Sequence, residues 1–370
     1  MKLQLFFIAV VLCTSPFIWI LPKTWRGKIM MLATLIVWLY VSAWSLLILI
    51  LITVLQWLLW QPYFKEYKRL RLMLSILLPL LPLIIYKLGH KTNDWIIPLG
   101  LSYYAFRQMH VAFEYYKGQL TRLTLEEYFQ YLLFLPVILI GPIHRIEQMQ
   151  RSLRRMKWQP AVFSNGLERI LYGVVKIVFF GNYLFTYKFH EWADNSNIIL
   201  LKDYLKLMAF TGNAYAQFSG FSDLAIGMGL LWGIKVIENF NYPFMATNMQ
   251  DFWTRWHISL SSWCRDYVFQ PIMALSRNRW FALITAMLVL ALWHEISWRY
   301  IFWGIFHSLL ILLTIITRKN FPAFSRYINH DYFGRWLGRL WVVHAFAFSC
   351  IFLIIKQPSI LGINLNLLFK

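Results

Sequence analysis

Two histidines sit where an imidazole could do proton chemistry. His257 lies in the stretch Asn239 to Pro271, NFNYPFMATNMQDFWTRWHISLSSWCRDYVFQP, and His294 lies downstream in ALWHEISWRYIFWGIFH. Both are surrounded by aromatic and aliphatic residues. Burial there disfavours the imidazolium and keeps one ring nitrogen available as a base. Such a base suits proton transfer to or from a bound reactant.

The position of His294 gives it the stronger claim. Trp280 to Trp293 is an uncharged run of 14 residues that starts directly after Arg277 and Arg279. As a helix it is about 21 Å long. His294 is then placed deep within a hydrocarbon layer about 30 Å thick. HEISWR is too polar to face lipid, and Tyr300 to Thr317 forms a return span ending at Arg318 and Lys319. Both basic ends fall on one side, which the positive-inside rule makes cytoplasmic. An ionisable side chain at that depth needs a partner or a wet cavity, and so is a functional candidate. His257, on a strip with Trp253, Leu260 and Cys264, also suits a packing role, and His307 reads as packing. Asp251 and Arg255 form a favourable i, i+4 pair expected to hold the His257 helix.

The elements that carry these residues are membrane helices. Of the 370 residues 59% are hydrophobic and only 14% charged, and the mean hydropathy is +0.53. The apolar runs are long and do not alternate, which selects helices over a barrel. The expected fold is all-α and polytopic, a single integral membrane domain with about nine to eleven spans. The formal charge of +20 lies in short clusters between apolar runs, as beside an anionic membrane face, so nucleic-acid binding is excluded. Cys13, Cys264 and Cys350 are scattered and provide neither a disulfide framework nor a metal-binding spacing.

Along the chain, Leu3 to Leu21 reads as a retained first helix. Ile29 to Trp60 is either one long tilted helix or two tight passes. Leu72 to Tyr86 contains Pro79 and Pro82, which predict a kink. Arg107, His110 and Glu114 share one helical face, either lining a cavity or bracing the helix. Tyr128 to Ile143 is a further apolar run. His144 to Lys157 is basic and suits either an anionic partner or lipid anchorage. Gly166 to Phe189 and Ile198 to Phe218 read as two spans, and a separate glycine-rich helix follows with Asp223 near its start. Gly229 and Gly233 have the spacing for close helix approach. From Met249 to Phe269 the pattern is helical throughout, and Leu340 to Ile355 is a last span.

The segments IPLGLSYYAF, LIGPIHR, FSGFSDLAIGMGLLWGIKVIENFNYPF, DFWTRWHISLSSWCRDYVF and LWHEISWRYIFWGIFH together resemble the membrane-bound O-acyltransferase family. The similarity is to its bacterial branch of alginate O-acetylation and teichoic acid D-alanyl transfer proteins, over about residues 95–310. The resemblance implies that His294 is the essential histidine and His257 the supporting polar residue. It further implies a ring of helices around a tunnel, with an acyl thioester donor, acyl-CoA or acyl carrier protein, arriving from the cytoplasm. The acceptor hydroxyl would come from the other face. Asn239, Asp251, Arg255, Trp293 and Glu295 are candidate substrate-lining residues. Glu295 departs from the family, whose bacterial members carry glycine there, and so bears on the shape of the tunnel or the orientation of the imidazole.

The expected activity is acyl transfer, acetyl by preference, to a hydroxyl of an extracytoplasmic polysaccharide or envelope glycan, in a bacterial inner membrane. His294 would serve as general base and His257 as a hydrogen-bond donor to the thioester carbonyl or its oxyanion. No bound cofactor or metal is expected. An extracytoplasmic transferase is a possible partner, and membrane lipid surrounds the chain. The alternatives are a transporter or flippase for a lipid-linked sugar and a non-catalytic scaffold for a separate transferase.

Overall fold

The computed structural model describes residues 2–61, 66–89, 100–138 and 141–354. Among them are helices and irregular segments and no strand. Among the described residues six helices are long and apolar enough to cross a membrane, and Arg279–His294 is a shorter apolar one. The all-α polytopic architecture holds. The sequence reading also takes Ile198 to Phe218 as a span, and the helix that holds it, Ile199–Leu231, is not among the six.

The chain divides into two compact units, Met1–Gly173 with Phe221–Ile237, and Val174–Gly220 with Glu238–Lys370. The first unit opens with α1 (Lys2–Ile20) and α2 (Lys23–Leu59). Helix α2 stands between the two alternatives posed by its length, being one helix with a non-helical residue, Ser42, inside it. Helix α3 (Lys68–Gly89) runs through Pro79 and Pro82. Helices α4 (Leu101–Lys117), α5 (Leu125–Leu132) and α6 (Ile146–Arg155) follow, with α5 started by a Thr124/Glu127 capping box. Among its described residues the apolar run at 128–143 is not one continuous helix. Helix α5 ends at Leu132 and a short 3-10 turn, Leu135–Val137, follows. Pro136 in that turn has no N–H to continue an α-helix.

The polar face of α4 is spent on bracing. Arg107 is buried, donates to the Tyr131 carbonyl at 3.2 Å and lies over the Tyr104 ring. The Nε2 of His110 accepts the Ile146 N–H at 3.1 Å. These contacts tie α4 to α5 and α6, so the bracing alternative is the one the packing realises.

Helix α7 (Pro160–Val175) continues as a π-helix, Lys176–Lys188, and as α8 (Phe189–Asp194). The expected span and glycine-rich helix that follow are one helix, α9 (Ile199–Leu231). Within the first unit α7 meets the end of α9 through Gly166 and Gly227. A Cβ on Gly227 would stand 2.6 Å from the Gly166 carbonyl. That close approach falls to Gly227, not to the expected pair. Gly229 turns to Ile234 and Val236, and Gly233, with φ +73°, terminates the helix against Trp19. Only glycine takes that left-handed φ freely, and a glycine in this conformation closes helices of this kind.

The second unit carries α10 (Met249–Arg255), α11 (Ile258–Cys264), a π-turn at Arg265–Phe269 and α12 (Gln270–Ser276). Helices α13 (Arg279–His294) and α14 (Trp298–Asn320) form a hairpin, and α15 (Pro322–His330) links α14 to α16 (Tyr332–Ile354). Asn278 caps α13 by accepting the Trp280 and Phe281 N–H groups, which fixes where the apolar run begins and so where His294 ends it. Gly304 of α14 packs against Ala291 and Met287 of α13. Cys13, Cys264 and Cys350 form no disulfide.

Candidate active site

The helix expected from Met249 to Phe269 is broken at its chemically interesting residue. Helix α10 stops at Arg255, and His257 takes φ +46°, ψ +50° before α11 begins. A non-glycine residue in the left-handed region is disfavoured and persists only where surrounding contacts hold it. Those contacts come from the loop at 239–241. The Asn239 carbonyl accepts the Ile258 N–H at 2.9 Å, and the Asn241 N–H donates to the Arg255 carbonyl at 3.0 Å. The break turns the His257 ring inward, where it is 2% exposed.

Asn239 fixes the protonation pattern of that ring. Its side-chain oxygen Oδ1 accepts from the Ser259 N–H at 3.2 Å and the Ser259 hydroxyl at 2.9 Å, and lies 3.1 Å from His257 Nδ1. A backbone N–H can only donate, so the amide atom facing it is the oxygen. The His257 Nδ1 must then carry the hydrogen. Its Nε2 keeps the lone pair, is buried, and has no hydrogen-bond partner among the described residues. Burial, with the His294 imidazole adding to it, holds His257 well below the ordinary histidine value. The ring is therefore neutral, with Nδ1 donating and Nε2 able only to accept. The expected donation from His257 to an oxyanion is not open to this tautomer.

His294 is the last residue of α13. The protein leaves its side chain exposed. The chain leaves the helix at Glu295 with φ −156° and ψ 140°, so no further turn covers the ring. Tyr300 stacks on it at 5.6 Å with the planes 15° apart, and Trp303 meets it edge-on at 6.2 Å. Trp293 joins the two histidines. Its ring lies 4.4 Å from the His294 ring and 5.9 Å from that of His257, between centroids. Phe218 closes the other side of His257 at 4.6 Å.

The remaining candidates do not all gather at this pair, since Asp251 lines a cavity that neither histidine lines. Asp251 and Arg255 form the expected ion pair, at 2.9 Å. Asn239 is fully buried behind His257. Glu295 directs its carboxylate to Arg299, whose Nη2 lies 3.1 and 3.2 Å from its two oxygens. His307 packs as expected, buried with Nε2 2.9 Å from the Ser349 hydroxyl. Ser259 and Tyr300 went unnoticed in the sequence. Ser259 stands two residues after His257 and Tyr300 six after His294, so proximity to the histidines was the available signal. Among the described residues no cluster of His, Cys, Asp or Glu could hold a metal ion.

A family model of the membrane-bound O-acyltransferases matches residues 19–355. The chain belongs to this family. Among its relatives is a probable alginate O-acetylase of Azotobacter vinelandii, 33% identical over 221 residues, which are 58% of this chain and 43% of that protein. A teichoic acid D-alanyltransferase of Streptococcus thermophilus is 31% identical over 278 residues, 68% of this chain and 67% of its own length. A peptidoglycan O-acetyltransferase of Helicobacter pylori is 26% identical over 261 residues, 61% and 49% of the two chains. The chain thus spans less than half the length of the alginate relatives it matches. Family membership and the six apolar helices make it an integral, multi-pass membrane protein.

Proposed function

We propose that this membrane-bound O-acyltransferase family member moves an acyl group, acetyl by preference, from a cytoplasmic thioester to a hydroxyl of an envelope polysaccharide outside a bacterial inner membrane. The relatives' printed activities support that class of reaction on cell-envelope polymers. The observation that carries it is the pairing of two histidines on one indole, Trp293, with His294 exposed and His257 buried in a fixed tautomer.

In this reading His294 takes the proton of the acceptor hydroxyl as its oxygen attacks the thioester carbonyl. A C–O bond forms, the C–S bond breaks, and the proton passes from His294 to the departing thiolate, which leaves as a thiol. His257 serves as an acceptor. Its Nε2 receives an N–H or O–H of the bound reactants and aligns them, while donors elsewhere stabilise the oxyanion. The donor is acyl-CoA or an acyl carrier protein, both anionic and suited to a basic cytoplasmic face. A separate extracytoplasmic transferase would be the receiving partner if the transfer is relayed.

The test is acylation of surface glycans in cells carrying wild type, His294→Ala or His257→Ala, with membrane abundance quantified for each. A loss of about 10²–10⁴-fold for His294→Ala at unchanged abundance supports general-base catalysis. Full modification by that variant would remove His294 from the mechanism.

A further inference from the structure

Within the second unit a cavity of about 890 Å³ lies among α10, α14, α15 and α16, and neither His257 nor His294 lines it. That volume suits a ligand of drug or lipid-segment size. Its lining divides by chemistry. Leu313, Leu337 and Trp341 contribute an apolar wall from the two spans, and Arg318 and Arg326 contribute two cations. Arg318 lies in the last turn of α14 and Arg326 on α15, the short helix joining the spans.

The cations are not spoken for. Both arginines are exposed, and neither forms an ion pair with another described residue. Asp251 also lines the cavity, but its carboxylate is held by Arg255 at 2.9 Å. The Asn329 amide oxygen is likewise occupied, accepting from Thr247 at 2.6 Å and from Asn248 at 3.1 Å. The cavity therefore presents net positive charge at the end of an apolar wall. Phe321, Tyr332 and Phe333 beside it are 63%, 72% and 61% exposed, as aromatic residues are at the headgroup level of a bilayer.

We infer that this cavity binds a glycerophospholipid with an anionic headgroup, its phosphate between Arg318 and Arg326 and an acyl chain along Leu313, Leu337 and Trp341. A planar guanidinium pairs with phosphate oxygens through two parallel N–H bonds, and two such cations favour a lipid of net negative charge over a zwitterionic one, whose quaternary ammonium they repel. A lipid here would wedge α10 against the α14–α16 unit, so its binding would stabilise the segment that leads into His257. The inference stands apart from the acyl-transfer reading, because it needs no histidine and no turnover.

The experiment is native mass spectrometry of the purified full chain titrated with phosphatidylglycerol, compared with phosphatidylcholine and with soluble glycerol 3-phosphate. Wild type should retain one phosphatidylglycerol, and Arg318→Gln/Arg326→Gln should bind it about 25-fold more weakly, at about fivefold per arginine. The thermal midpoint should rise with phosphatidylglycerol in wild type and not in the double variant. Phosphatidylglycerol brominated in its chains should quench wild-type fluorescence more than that of Trp341→Phe. Equal retention by both proteins, or of both lipids, would overturn the assignment. Displacement by glycerol 3-phosphate would also overturn it, in favour of a soluble phosphate site.

Discussion

The Asn239 amide oxygen stands 3.1 Å from His257 Nδ1 while accepting both the N–H and the hydroxyl of Ser259. One buried atom thereby sets which nitrogen of His257 carries hydrogen. Asn239→Asp preserves an acceptor for all three donors and places a negative charge beside Nδ1–H, which favours the imidazolium. Asn239→Leu leaves the Ser259 N–H and His257 Nδ1–H buried without an acceptor, costing about 1–3 kcal/mol for each group. The expected result is that Asn239→Asp keeps measurable transfer, with the acid limb of its pH–rate profile moved upward. Asn239→Leu should lose activity and abundance together. Identical pH profiles for wild type and Asn239→Asp would mean that Asn239 has no hold on the state of His257.

The depressed His257 value has a definite sign in stability. The ordinary histidine value is 6.5, and burial, followed by the His294 charge, moves His257 well below it. Below about pH 6.5 the unfolded chain binds a proton at this residue that the folded chain refuses, so stability falls as the solution is acidified. Above that pH both states are neutral and the contribution is flat. Thermal unfolding in detergent between pH 8 and pH 5 should show a decline for wild type that is smaller in His257→Gln, which does not titrate. An equal decline in both would assign the acid sensitivity to other groups.

Glu295 stands beside the proposed base, yet its carboxylate engages Arg299 in the next turn, and both side chains are about one-third exposed. An ion pair of that exposure contributes about 0–1 kcal/mol. Glu295→Gln should therefore change acyl transfer by less than about fivefold, measured against abundance. A loss comparable to that of His294→Ala would show instead that the carboxylate acts on the His294 ring.

The end of α13 was readable in the sequence because a countable uncharged run begins at a basic pair and stops at His294. The break at His257 was not. Neither glycine nor proline marks Trp256–His257–Ile258, and the left-handed turn is held by backbone bonds to Asn239 and Asn241, fourteen or more residues away. A local pattern carries no trace of such bonds. The tautomer of His257 was hidden for the same reason, since it follows from which donors meet Asn239. Gly227 escaped because the spacing of Gly229 and Gly233 marks a small-residue face without saying which face meets a neighbour.

The Arg169–Asp223 pair offers the clearest separation of fold from chemistry. Within the first unit Arg169 Nε lies 2.6 Å from the carboxylate of Asp223, whose side chain is 4% exposed. The pair joins α7 to the end of α9 beside the Gly166–Gly227 contact. Removing Arg169 takes its cation from the buried Asp223 carboxylate, at a cost of about 3–5 kcal/mol, whereas replacing both by apolar groups is far milder. Arg169→Leu should thus sharply reduce folded protein in the membrane, and Arg169→Leu/Asp223→Leu should recover much of it. Because the pair belongs to the first unit and both proposed site histidines to the second, the protein that does fold should transfer acyl groups at the wild-type rate per molecule. A fall in that specific rate, with abundance restored in the double variant, would move Asp223 from bracing into the reaction.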